Sequence, residues 1–136
     1  IIEHWELLRN LQDKTGGFRA FIMWSFQGDN TLLKAEIPDI KPQSSNRYLR
    51  LLAVARLYLD NFKNMQSSWV TQGSYVGQLA LKFGANDLGS TMMEENVVKA
   101  AGASNRMNQE EMIRLIKDIG ETPAKRNTAY EILERF

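Results

Sequence analysis

An α/β fold on parallel strands is what this 136-residue sequence predicts. Two observations lead to it. Segments with apolar residues at helical spacing alternate with short aromatic or apolar runs. Each of those runs ends in a polar cluster, the arrangement of a sheet whose carboxyl ends face a ligand. The length suits one domain with a real core and is too short for two.

The first element is a helix. Ile1, Trp5, Leu8 and Leu11, with Leu7, recur near the 3.6 period, and Gly16-Gly17 stops the pattern. Phe18 to Phe26 (FRAFIMWSF) predicts a buried strand, aromatic and apolar without a breaker. Gly28 to Ser45 carries Pro38 and Pro42, has weak periodicity, and predicts a long loop. Asn46 or Ser45 can cap a helix over Arg47 to Asn61, with Tyr48, Leu51, Leu52, Ala55, Tyr58 and Leu59 on its apolar face.

Met65 to Val70 (MQSSWV) predicts a second strand, followed by Thr71-Gln72-Gly73. Ser74 opens a helix with Val76, Leu79, Ala80 and Phe83 at offsets 0, 3, 4 and 7, closed by Gly84. Asn86-Asp87-Leu88-Gly89 predicts the end of a very short third strand. Met93, Val97, Val98 and Ala101 predict a helix stopped by Gly102. Asn108 with Glu111 opens another, which carries Met112, Leu115, Ile116 and Ile119 and ends at Gly120. The tail from Pro123 has no assignable period.

Composition narrows the function classes. Seventeen Lys and Arg against sixteen Asp and Glu leave a net charge of +1, without the basic excess of a nucleic-acid binder. No apolar run approaches the roughly 18 residues of a membrane span, and a soluble, cytoplasmic protein is expected. The absence of cysteine excludes disulfides, a thiolate nucleophile and cysteine-held clusters within these residues. His4 is the single histidine, and reads as a surface or packing residue. P-loop, GxGxxG, HExxH and GxSxG patterns are absent. Ile1 runs straight into a helical pattern, so a chain cut from within a longer protein is expected.

The candidate site is therefore positional: Ser25 and Gln27 after the first strand, Thr71 and Gln72 after the second, Asn86 and Asp87 after the third. Trp24 and Trp69 lie at strand ends, where most such residues are core. Asp87 is the one carboxylate in the three polar clusters. Thr91 and Glu94 follow it. Of the Glu94-Glu95 pair, at least one reads as ordinary charge at a helix start, since adjacent helical residues point apart. Lys125-Arg126 is too short for a nucleic-acid patch but long enough to meet one phosphate or carboxylate.

Several long strings go further. GGFRAFIMWSFQGDNT, YLRLLAVARLYLDN, MQSSWVTQGSYVGQLALKFGANDLGSTMMEENVVKAAGA and PAKRNTAYEIL resemble the C-terminal part of the cyclic dehypoxanthinyl futalosine synthase family over nearly all of the chain. Aminofutalosine synthase and the deazaflavin-forming FO synthase subunit are sister families. GANDLG is shared with the latter, whereas WSFQ, SWVTQG, GSTMMEENVV and RNTAYEIL point to the cyclase.

The resemblance implies the C-terminal portion, a partial barrel, of a radical S-adenosylmethionine (β/α) TIM-like barrel. It also implies a 4Fe–4S iron–sulfur cluster on a C-x3-C-x2-C motif, which reductively cleaves S-adenosylmethionine. The resulting radical takes a hydrogen from the ribose of dehypoxanthine futalosine, and the substrate radical closes on its benzoate ring. For Trp24 and Trp69 only the resemblance implies an apolar wall against an aromatic ring. It likewise implies that Asp87 accepts from a sugar hydroxyl and is the candidate catalytic group. Here the sequence departs from the family pattern, because that motif is absent. Residues 1–136 are thus expected to be a single segment without its cluster-binding N-terminal half, and inactive alone. Such a segment should self-associate or pair with the missing half, since an opened barrel exposes sheet edges. The competing expectation is a non-catalytic interaction or assembly module derived from the fold.

Overall fold

The computed structural model describes residues 1–28, 31–41, 43–91 and 105–136. Helix α1 (Ile2–Thr15) ends where Gly16 takes a left-handed conformation and returns its N–H to Gln12. Only Trp5 of this helix is fully buried, with Leu8 packed behind it. Ile1, Leu7 and Leu11 face outward, so the apolar stripe expected from their spacing is narrower than predicted.

Strand β1 covers Ala20–Ile22 and pairs in parallel with β2 (Asn64–Gln66), Phe21 opposite Met65. Both strands are shorter than the predicted Phe18–Phe26 and Met65–Val70. The ladder stops at Ile22 and Gln66; beyond it Trp24 and Phe26 are exposed, and Trp69 and Val70 enter helix α4 (Trp69–Gln72). The predicted third strand end is a single parallel bridge from Gln66 to Asp87, backed by the Ser67 N–H to Asp87 carbonyl bond of 2.8 Å. Parallel order is therefore β1, β2, Asp87.

Three connections differ from expectation. The predicted loop from Gly28 to Ser45 contains helix α2 (Leu32–Glu36), started by the Thr31 hydroxyl accepting from the Lys34 N–H. Helix α3 (Ser45–Tyr58) is capped by Ser44, one residue before the expected caps, through a 3.3 Å bond from the Arg47 N–H. Residues Trp69–Gln72, expected at a strand end, form the short helix α4, and Gly73 separates it from α5 (Ser74–Ala80).

Helix α6 (Gln109–Asp118) begins as predicted, with the Asn108 side chain accepting from the Glu111 N–H at 2.8 Å. The tail forms an antiparallel hairpin of β3 (Ala124–Arg126) and β4 (Ile132–Arg135). The helix predicted around Met93 to Ala101 lies outside the described residues.

Two hydrophobic clusters hold these elements. One gathers Trp5, Tyr48, Leu52, Leu59, Phe62 and Met65 between α1, α3 and the sheet. The other gathers Trp69, Val70, Leu88, Met107, Met112 and Leu115 around α4 and α6. Leu81 packs against both.

Candidate functional site

The carboxyl ends of β1 and β2 meet through side chains. Gln72 Nε2 donates to Ser25 Oγ at 2.7 Å, and Gln27 Nε2 donates to the Ser25 carbonyl at 3.2 Å. Ser25 is buried and Trp24 beside it is half exposed. Thr71 turns back on its own helix, its hydroxyl 2.7 Å from Ser68 Oγ and 3.1 Å from the Ser68 carbonyl.

Trp69 does not stand at a mouth. It is 1% exposed, inside the second cluster, and Gly77 approaches so closely that an added Cβ there would lie 2.5 Å from the Trp69 Cβ. The strand that was to present it ends at Gln66, and α4 turns the indole inward.

Asn86 and Asp87 occupy the end of the third parallel segment and do different things. The Asn86 amide is committed to the backbone. Its oxygen accepts from the Met65 N–H at 2.8 Å and from Arg56 Nη2 at 3.0 Å, while its nitrogen donates to the Lys63 carbonyl at 3.2 Å. Arg56 also donates Nε to the Gly84 carbonyl at 2.6 Å, and burial lowers its pKa from the ordinary value.

Asp87 faces a cavity of about 910 Å3. Its Oδ1 accepts from the Gly89 N–H at 2.6 Å, and its Oδ2 takes Arg126 Nε at 2.7 Å and Nη2 at 2.5 Å. The Arg126 guanidinium lies 3.9 Å over the ring of Tyr130. Burial first, then the Asp87 charge, raises the Tyr130 pKa from its ordinary value. The apolar side of the cavity comes from Leu88, Met112, Ile116 and Phe136, and Thr91 stands exposed at its edge.

The predicted residues therefore fall in two places. Ser25, Gln27 and Gln72 form one junction; Asp87, Asn86 and Thr91 line the cavity. Glu94 lies outside the described residues. Sequence reasoning missed Tyr130; Tyr48 is buried on the predicted face of α3, where its hydroxyl accepts from the Ser68 N–H at 2.9 Å. For Arg126 part of the signal is in the sequence, where the Lys125-Arg126 pair reads as able to meet one phosphate or carboxylate. That carboxylate is Asp87. Among the described residues no group of three or more His, Cys, Asp or Glu could hold a metal ion, and no helix is long and apolar enough to cross a membrane.

Comparison with known proteins supplies the family. The family model described as "CofH/MqnC C-terminal region" matches residues 15–136. Cyclic dehypoxanthine futalosine synthase of Streptomyces coelicolor is 50% identical over 132 residues, covering 97% of this chain and 32% of that protein. The protein of the same name from Halalkalibacterium halodurans is 47% identical over 133 residues, 98% of this chain and 35% of its own length. The 5-amino-6-(D-ribitylamino)uracil--L-tyrosine 4-hydroxyphenyl transferase of Methanococcus maripaludis strain C7 is 40% identical over 138 residues, 98% of this chain and 38% of its own. The chain spans about a third of the length of these relatives, on their C-terminal side by the family description. With the match running through both strand ends, the Asp87 cavity and the terminal hairpin, the chain belongs to the CofH/MqnC C-terminal region family.

Proposed function

We propose that these residues are the C-terminal part of a cytoplasmic radical S-adenosylmethionine enzyme. Its reaction in this reading is the cyclisation of dehypoxanthine futalosine to cyclic dehypoxanthine futalosine, on the futalosine route to menaquinone. The observation that carries the reading is the 50% identity to the Streptomyces coelicolor synthase across 97% of the chain, against 40% to the hydroxyphenyl transferase. In this reading the parallel order β1, β2, Asp87 is a portion of a (β/α) barrel completed by sequence outside the chain.

The cofactors would be S-adenosylmethionine and a 4Fe–4S cluster, which together supply the radical chemistry. The residues present do not fit the cluster, since the chain has no cysteine. Its ligands then belong to another part of the enzyme, and these 136 residues alone are inactive.

This chain's share is a wall of the substrate site. Ser25 and Gln27 beyond β1, with Thr71 and Gln72 on α4, offer hydrogen bonds at one junction. Trp24 offers an exposed apolar face, and Asp87 an acceptor for a sugar hydroxyl. Thr91 extends the rim beside Asp87; a role for Glu94 rests on the resemblance alone. Neither nucleic acid nor a membrane enters the reading.

The test is to express the full-length gene product that carries this chain, load it with cluster, and offer each substrate in turn. Conversion of dehypoxanthine futalosine supports the reading, together with loss of turnover in Asp87→Ala and Gln72→Ala at unchanged fold and cluster content. Conversion of tyrosine with 5-amino-6-(D-ribitylamino)uracil instead would assign the sister reaction. A loaded enzyme that turns over neither, or wild-type turnover in both variants, refutes it.

A further inference from the structure

The terminal hairpin has three features that a simple edge ribbon does not need. Its register shifts between Lys125 and Arg126, an irregularity that re-aims the side chain leaving the strand. Tyr130 sits at φ 66, and among the described residues it alone of the non-glycines has a positive φ. A bulky residue held there is strained and persists only where its surroundings over-determine it. Asn127 does so: its Oδ1 accepts from the N–H groups of Ala129 and Glu131 at 2.9 and 3.0 Å, and its carbonyl accepts from the Tyr130 N–H at 3.1 Å.

Both irregular positions deliver their side chains to one carboxylate. Arg126 places two N–H groups on Asp87 Oδ2, and Tyr130 lies under the guanidinium with its phenol within the influence of the Asp87 charge. The ion pair is largely shielded, with side-chain exposures of 21% for Arg126 and 11% for Asp87. A shielded ion pair is a weak source of stability, since apolar replacements of similar volume often do as well. What it provides is geometry. With Oδ2 taken by Arg126 and Oδ1 holding the Gly89 N–H, the carboxylate is held in one orientation in the cavity lining.

We propose that Arg126 and Tyr130 are positioning residues. The hairpin would act as a clamp that fixes the Asp87 carboxylate so that Oδ1 receives a hydroxyl of a sugar-bearing substrate in the adjoining cavity. This rests on the function proposed above and deepens it, bringing the last fourteen residues of the chain (Pro123–Phe136) into the substrate site. Lysine in place of Arg126 keeps the charge and loses the planar fork, so it should not substitute.

The experiment uses the full-length enzyme with Arg126→Lys, Arg126→Ala and Tyr130→Phe. A misplaced catalytic contact costs on the order of 100-fold. Arg126→Lys should therefore lose about 100-fold in kcat/KM, and Tyr130→Phe roughly tenfold or less. Added methylguanidinium should recover part of the activity of Arg126→Ala, a response that a purely structural arginine would not give. Wild-type kcat/KM in Arg126→Lys overturns the proposal. So does a loss that follows the melting temperature and that methylguanidinium leaves unchanged.

If the wild-type enzyme turns over no offered substrate, it is the function reading that has failed. The clamp is then read from the titration of carbon-labelled Tyr130. Asp87→Asn should lower that pKa toward the ordinary tyrosine value, and an unmoved titration overturns the clamp independently of any activity.

Discussion

Gln72 Nε2 reaches Ser25 Oγ over 2.7 Å and so ties the carboxyl ends of two parallel strands together across 47 residues of chain. Neither strand supplies that link through its own ladder, which stops at Ile22 and Gln66. Because Ser25 is buried, its hydroxyl has little water to turn to, and Gln72 provides the partner. Ser25→Ala should lower stability by about 1 kcal/mol, the net worth of one such bond. A denaturant midpoint identical to wild type would show that Gln72 has found another acceptor.

Asn86 and Asp87 are adjacent but separable. Asn86→Ala removes partners from the Met65 N–H, the Lys63 carbonyl and Arg56, and should cost about 3 kcal/mol in thermal or denaturant unfolding. Thr91→Ala, at an exposed position of the same rim, should stay within about 0.5 kcal/mol. Equal stability of the two variants would mean that the Asn86 bonds hold nothing.

Gly77→Ala tests the approach of α5 to α4. The new methyl would lie 2.5 Å from the Trp69 Cβ and 3.3 Å from its Cα, atoms that have no free rotor to move. Overpacking of this kind costs about 1–3 kcal/mol. An unchanged melting temperature, with Trp69 fluorescence unshifted, would show that the two helices can separate at no cost.

Tyr48 gives a pH dependence of definite sign. Burial raises its pKa above the ordinary 10.0, against the opposing pull of its bonds to Ser68 and Ser67. The unfolded chain therefore ionises this phenol first. The stability it contributes is complete below pH 10 and is lost as pH rises through the folded pKa. Tyr58, raised by its bond to Glu6, and Tyr130, raised by burial, act in the same direction. Tyr48→Phe should cost about 1–3 kcal/mol at neutral pH, by orphaning the buried Ser68 N–H, and should flatten the alkaline fall. Denaturant midpoints measured from neutral to strongly alkaline pH would show both effects. An alkaline limb as steep as wild type would contradict the second.

On its own at micromolar concentration, the 136-residue chain should sediment as an oligomer. Among the described residues β1 pairs on one side only, and Trp24, Phe26, Leu32, Leu33 and Ile37 are all exposed. A clean monomer would contradict this.

What the sequence could announce was whatever depends on neighbours in the chain. The Asn108–Glu111 start of α6, the Gly16 stop of α1 and the apolar face of α3 were all legible, because caps and helical spacing are local. Strand lengths were not, since a run such as Phe18–Phe26 remains a strand only while a partner lies beside it. SSWV looked like a strand for the same reason that Trp69 could become a core residue of a short helix: β-branched and aromatic residues suit either buried setting. Of the polar clusters, Asn86-Asp87 does end a parallel segment whereas Thr71 and Gln72 stand on α4, and what each would hold was hidden. Asn86 binds its own backbone, and Asp87 receives an arginine 39 residues away. The hairpin escaped notice because its turn is built on Asn127 and a tyrosine in a conformation that sequence assigns to glycine.

The two hydrophobic clusters, bridged by Leu81, bear on how the chain comes apart. Each carries one fully buried tryptophan, Trp5 in the first and Trp69 in the second, while Trp24 is half exposed and belongs to neither. Clusters joined in this way can open separately, and local unfolding in proteins follows such boundaries. Single-tryptophan versions retaining Trp5 or Trp69 would then give two melting curves rather than one. The Asp87 cavity lies across the boundary, lined by Ala85 of the first cluster and by Leu88 and Met112 of the second. Loosening of either cluster would change that lining, and a molecule bound in the cavity would oppose it.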